Sequence, residues 1–100
     1  MTDKYILDGK TIVPCEDLII WGKWFKQNSK QRRVARDEFR EIVVSTVFLG
    51  LDYNFNGGKP ILFETMVFGG KYNDEQERYH TYEEAEKGHK KWVKKVKKTL

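Results

Sequence analysis

Four groups of residues in this chain of 100 could do chemistry. Glu64 stands inside the apolar run PILFETMVFGG (60–70), close to Leu62, Met66 and Phe68. A carboxylate placed there must meet an arginine, a cluster of donors or water, because an unpaired buried charge is too costly. It is therefore half of an ion pair with Arg32, Arg33, Arg36 or Arg40, or an acceptor for a ligand's hydroxyls or amines; a small hydrolase built on it ranks last. The cluster Arg32-Arg33-x-x-Arg36 supplies guanidinium groups that can grip phosphate in two-pronged fashion. Trp21, Trp24 and Tyr79 offer faces on which a base could stack. His80, beside Tyr79 and just ahead of the last helix, belongs with them and could contact an anion there. Together Arg32, Arg33, Arg36, Glu64, Trp21, Trp24, Tyr79 and His80 form a candidate pocket for a nucleotide-like ligand. The fourth group is the lysine series Lys87, Lys90, Lys91, Lys94, Lys95, Lys97 and Lys98. It is a solvated helix face or a phosphate-binding one, with Lys90, Lys91, Lys94 and Lys95 as the nucleic-acid candidates.

Other chemistries lack their residues. His80 and His89 are nine positions apart and no acid or thiol cluster completes a metal set, so no metal is expected. His89 reads as a residue on the packed edge of the last helix. Cys15 is alone, which leaves no disulfide to form within the chain and points to a reducing cytoplasm. No nucleophile, base and acid stand at a recognisable spacing, so the chain is not expected to be an enzyme or to carry a cofactor. Gly57-Gly58 and Gly69-Gly70 lack the strand–loop–helix setting of a phosphate loop and read as turns.

The elements that would position these groups can be read in turn. Asp8-Gly9 between two short apolar runs predicts an N-terminal hairpin, ended by Pro14. Glu16 and Asp17 open a helix that runs to Gln27–Ser29, with Leu18, Trp21 and Phe25 on one face and Ile20 and Trp24 beside it. Gly22 weakens that helix by about 1 kcal/mol relative to alanine. Residues 30–41 fit an exposed edge strand, a loop or a short helix. Two strands follow at 42–51 and 61–68, joined by a turn around Asn56-Gly57-Gly58, and residues 76–80 can add an edge strand. Thr81 and Glu84 make a capping box for a last helix whose stripe is Tyr82, Ala85, His89, Trp92, Val93 and Val96. Gly88 in that stripe permits close approach to the sheet. The expected fold is a single α+β domain over 1–100: a hairpin, an antiparallel meander of three to four strands, one N-terminal helix and one C-terminal helix.

Pairing Leu51 with Ile61 would set Val47 opposite Thr65 and Phe48 opposite Glu64. One sheet face then carries Ser45, Val47, Leu49, Phe63, Thr65 and Val67, and the other Val44, Thr46, Phe48, Leu62, Glu64, Met66 and Phe68. Both are mostly apolar, and one amphipathic helix covers only part of one face. A homo-oligomer, dimer or higher, that stacks the remaining surface is the expected solution.

Composition narrows the class further. With 39% hydrophobic and 14% aromatic residues the chain is globular, not disordered. The net charge of +4 is lopsided. Residues 1–86 hold 12 Lys and Arg against 15 Asp and Glu, a net of −3, whereas 87–100 hold seven Lys and no acid. A uniformly basic nucleic-acid-binding domain would look different. No apolar run approaches the roughly 18–20 residues of a membrane span, and the first residues lack the apolar core of a secretory signal.

From about residue 12 to residue 96 the chain resembles a family of small proteins encoded in bacteriophage and prophage genomes. The stretches that carry the likeness are VPCEDLIIWGKWF (13–25), RRVARD (32–37), VSTVFLGLDYNF (44–55), PILFETMVFGG (60–70) and ERYHTYEEAEKGH (77–89). The lysine-rich end is more basic than the family pattern and the segment at 27–31 is longer. The family carries no assigned activity to transfer residue by residue. The resemblance implies a setting: a non-structural phage accessory protein acting on host machinery in the host cytoplasm. The expected function is thus a binding protein without catalysis that counters a host defence. It would sequester a nucleotide-like signal or occlude a host protein, the alternative being a nucleic-acid-binding regulator that uses the lysine helix.

Overall fold

Asp8-Gly9 turns the chain so that β1 (Tyr5–Asp8) pairs antiparallel with β2 (Thr11–Pro14), with Gly9 at a φ of 63° that a side chain would resist. The computed structural model describes residues 2–100. Asp17 caps α1 (Leu18–Gln27): its carboxylate accepts the backbone N–H groups of Ile19 and Ile20 at 2.9 and 3.0 Å. The ambiguous segment that follows resolves into a single turn, α2 (Ser29–Arg32), and a strand, β3 (Arg33–Phe39). Then come β4 (Ile42–Phe48), β5 (Phe63–Phe68), β6 (Gln76–Tyr79) and α3 (Tyr82–Lys97). The four later strands form one antiparallel sheet in the order β3-β4-β5-β6, so the architecture is α+β.

The capping box at the start of α3 is present. Thr81 Oγ1 accepts the N–H of Glu84, whose carboxylate accepts the N–H groups of Thr81 and His80. From there α3 crosses one face of the sheet. Ala85, Gly88, His89, Trp92 and Val96 point inward and are buried. A Cβ at Gly88 would run into the Tyr79 ring, which is why the helix can lie so close to β6. The apolar contacts fall into two clusters. Leu7, Phe48, Leu62, Phe63, Tyr79 and Ala85 pack at the hairpin end, and Val44, Val67, Trp92 and Val96 at the other.

The register between β4 and β5 is one residue away from the expected pairing. Thr46 faces Thr65, Val47 faces Glu64 and Phe48 faces Phe63. The cause lies just beyond β4. Gly50 adopts a φ of 77° and diverts the chain, so Leu51 bridges Lys4 and does not pair with Ile61. Asp52 then closes the loop by accepting the N–H groups of Asn54 and Ile61. A slip of one residue exchanges faces. Val44, Thr46 and Phe48 therefore share the face beneath α3 with Phe63, Thr65 and Val67, and Glu64 and Met66 lie on the opposite side with Ser45 and Val47.

The first helix also departs from expectation. Leu18 does not join Trp21 and Phe25 in a packed face. Trp24 meets Phe48 edge-on, and the Trp21 indole N–H reaches the carbonyls of Tyr5 and Gly50. Leu18, Ile19 and Ile20 point into solvent, and no residue of α1 is fully buried. The helix is fixed to the hairpin and the end of β4. It lies beside the sheet and does not cover its second face.

Candidate functional site

Between the two apolar clusters a row of polar groups runs through the interior, from one edge of the sheet to the other. Asp37 on β3 accepts from His89 Nε2 at 2.7 Å. Because a carboxylate only accepts, Nε2 donates to it, and Nδ1 meets Thr46 Oγ1 at 2.7 Å. Thr46 Oγ1 in turn lies 2.6 Å from that of Thr65, its cross-strand partner, and Thr65 accepts from the Tyr79 hydroxyl at 3.0 Å. When Nδ1 is the acceptor, every proton in this row points the same way, towards Asp37. Beyond Tyr79 lies Glu77, which accepts from the Trp92 indole at 2.9 Å and from Lys91 at 2.6 Å. The lysine contact holds the Glu77 carboxyl below its ordinary range, while burial pushes the Tyr79 phenol up. No buried side-chain N or O among the described residues is left without a partner.

A carboxylate, an imidazole and a hydroxyl in that order are the parts of a nucleophilic triad. Here they cannot act as one. Thr46 has no exposed surface and Thr65 has none either, so no substrate atom can approach the hydroxyl. The row holds α3 on the sheet, and its ends open into two grooves. One, of about 270 Å³, has Asp37 and His89 at its base and Lys90, Val93, Lys94 and Lys97 around it. The other, of about 340 Å³, lies along β6 and includes Arg78, His80, Lys87 and Lys91.

The structure divides the lysine series between these two sides of α3. Lys91 is taken by Glu77, and Lys95 lies over the Trp92 ring at 4.6 Å, so both are tied to the β6 side. Lys90 and Lys94, with Lys97, line the Asp37 groove and make no ion pair among the described residues. Lys97 also lies 5.4 Å from the Phe39 ring. Basic side chains line both grooves: Lys90, Lys94 and Lys97 here, and Arg78, Lys87 and Lys91 on the β6 side.

The residues expected to line one nucleotide pocket lie in four places. Arg33 and Arg36 are exposed on the sheet face away from α3, where Arg36 pairs with Glu38. Glu64 shares that face, but its partner is Arg78 at 2.9 Å and none of Arg32, Arg33, Arg36 or Arg40. The strand order explains the change: β6 adjoins β5 and sets Arg78 opposite Glu64, whereas β4 separates Glu64 from the arginines of β3. Arg32 lies over the Phe25 ring at 3.7 Å and donates to the Phe25 carbonyl, close to Trp21 and Trp24 at the hairpin end. Tyr79 is buried in the polar row. His80 binds the Pro60 carbonyl through Nδ1 at 2.9 Å and lies in the β6 groove.

Sequence reasoning missed Asp37, Thr46, Thr65 and Glu77. The available signal was the pair of threonines inside two apolar strands, which the correct register sets opposite each other. Among the described residues no three His, Cys, Asp or Glu side chains gather as a metal site, and no helix is long and apolar enough to cross a membrane. Compared with protein-family models, curated proteins and solved structures, the chain finds no significant match.

Proposed function

We propose that the chain is a non-catalytic binding protein that holds a phosphate-rich polyanion, nucleic acid in the first instance, along α3. The observation that carries this reading is the groove beside Asp37, where Lys90, Lys94 and Lys97 face solvent without ion-pair partners. Lysines in such a row neutralise successive phosphates and release their counterions. The sealed Thr46 hydroxyl supports binding without chemistry. The resemblance to phage and prophage proteins supports the setting: an accessory protein in the host cytoplasm that counters a defence by stoichiometric binding. A nucleotide-like signal would offer the same phosphate chemistry on a smaller scale. Arg33 and Arg36 lie on the sheet face away from α3, whereas Trp21 and Trp24 pack at the hairpin end, so they do not form one pocket for such a ligand.

Occlusion of a host protein is the second reading. It draws on the sheet face opposite α3, where Arg33, Arg36 and Arg78 surround half-buried Val43, Val47 and Met66.

Fluorescence anisotropy with labelled single-stranded and duplex oligonucleotides over a salt series tests the first reading. Affinity should fall linearly on a log–log plot. Replacing Lys90, Lys94 and Lys97 together by Gln should lower the duplex slope by roughly 0.9 for each phosphate contact removed. Replacing Lys91 and Lys95 should change it less. If the wild type binds no oligonucleotide even at low salt, the polyanion reading fails and the sheet face becomes the surface to pursue.

A further inference from the structure

Asp37 is out of place in a groove suited to phosphate. Lys90, Lys94 and Lys97 line the same groove, and a carboxylate among them weakens their pull on an anion. None of the three pairs with it among the described residues. Its partner is His89, whose Nε2 donates to Oδ2 at 2.7 Å. An amide oxygen would hold the imidazole as well and would spare the groove a negative charge. What the carboxylate adds is a second, equivalent acceptor. The His89 side chain is 5% accessible and that of Asp37 49%, so the acid is fixed from beneath and open to the groove.

We infer that Asp37 recognises a guanine base whose phosphates lie on Lys90, Lys94 and Lys97, carried by a single nucleic-acid strand or a free nucleotide. This rests on the polyanion reading and names the base that reading leaves open. A carboxylate accepts at two adjacent oxygens and donates nothing. Guanine is the base whose pairing edge sets two donors side by side, N1–H and the N2 amine. Adenine, cytosine, thymine and uracil each place an acceptor on that edge, which the carboxylate repels. Two parallel charge-assisted hydrogen bonds combine strength with geometric selectivity. In a duplex the same edge is already paired, so a strand must be single where it meets Asp37. The groove, at about 270 Å³, lies below the roughly 300–1,000 Å³ of sites that enclose drug-sized ligands, so it takes a base and leaves the phosphates outside. Val93 supplies an apolar contact for that base. From Lys90 to Lys97 the helix rises about 10 Å, enough to meet more than one phosphate.

Fluorescence anisotropy of the full chain with short labelled oligothymidines that differ at one central base tests it. The strand with guanine should bind roughly tenfold tighter than those with thymine, adenine or cytosine, the scale of one bidentate base contact. Hypoxanthine in that place, which lacks the N2 amine, should lose most of the advantage. Asp37→Asn keeps an acceptor for His89, and its melting temperature will show that it folds. It should erase the guanine preference and raise affinity for plain oligothymidine, because a negative charge leaves the groove. An Asp37 that only holds His89 would instead affect all strands alike. Guanosine triphosphate as competitor separates the two sources of the base. Displacement near the strand's own dissociation constant assigns the site to the free nucleotide, and displacement only far above it to the strand. Equal binding of all four strands overturns the inference and leaves the polyanion reading standing, as does a guanine preference that survives Asp37→Asn. Binding of no strand at low salt overturns both.

Discussion

The two long helices invert the usual relation between apolar content and burial. α1 has the sequence LIIWGKWFKQ, apolar at most positions, and buries no residue fully. α3, YEEAEKGHKKWVKKVK, is more than half lysine and glutamate, yet it buries five residues against the sheet. What separates them is not hydrophobicity but the surface each finds. α3 has one narrow stripe, aligned with a sheet face that offers Val44, Phe48, Phe63 and Val67. α1 is reached through the hairpin and meets that hairpin, the end of β4 and the single turn α2. An apolar residue is buried when its periodicity matches an available partner, and composition alone does not provide one.

The largest test of this contrast lies in α3. Trp92→Ala removes a ring that packs edge-on against Tyr72 at 5.7 Å and takes the indole donor from Glu77. It should cost about 3–5 kcal/mol, the range for truncating a buried Trp. For a domain of this size each kcal/mol lowers the midpoint by roughly 4–8 °C, so calorimetry will read it directly. A loss below about 1 kcal/mol would mean that α3 is not the helix that holds the sheet.

Of intermediate size is Thr46→Val, which keeps the shape and deletes the hydroxyl between His89 and Thr65. His89 Nδ1 is then buried without a donor, and the expected cost is about 1–3 kcal/mol. Changing Thr65 to Val as well should recover none of this loss, because His89 still lacks its partner. Urea melts of the single and double variants will show whether the row contributes as described.

The smallest effect belongs to α1. Ile20→Ser, at a position that is largely exposed, should change stability by less than about 0.5 kcal/mol. A loss near that of Trp92→Ala would abolish the comparison, since it would place Ile20 in a core.

Much of the fold could be read locally because its signals are local. Asp8-Gly9, Asp17 and the Thr81–Glu84 box each specify a turn or a helix start through neighbouring residues, and each occurs where the sequence suggests. The candidate site was less legible. Its register depends on Gly50 leaving the strand for a bridge between Leu51 and Lys4, a contact across 47 positions that no local pattern announces. With the register went the face of Glu64, its partner and the meeting of Thr46 with Thr65. The row from Asp37 to Tyr79 joins five elements, and no window of sequence contains it. Lysine spacing, by contrast, marked a basic face correctly but could not tell its two sides apart, because Glu77 and Trp92 decide which lysines are tied down.

The polar row also stitches the sheet crosswise. It takes one side chain from each of the four strands and one from α3, so the strands are tied to one another and to the helix through side chains as well as through the backbone. Loss of any one member breaks the line in the interior, where Thr46 and Thr65 have no exposed surface through which water could replace it.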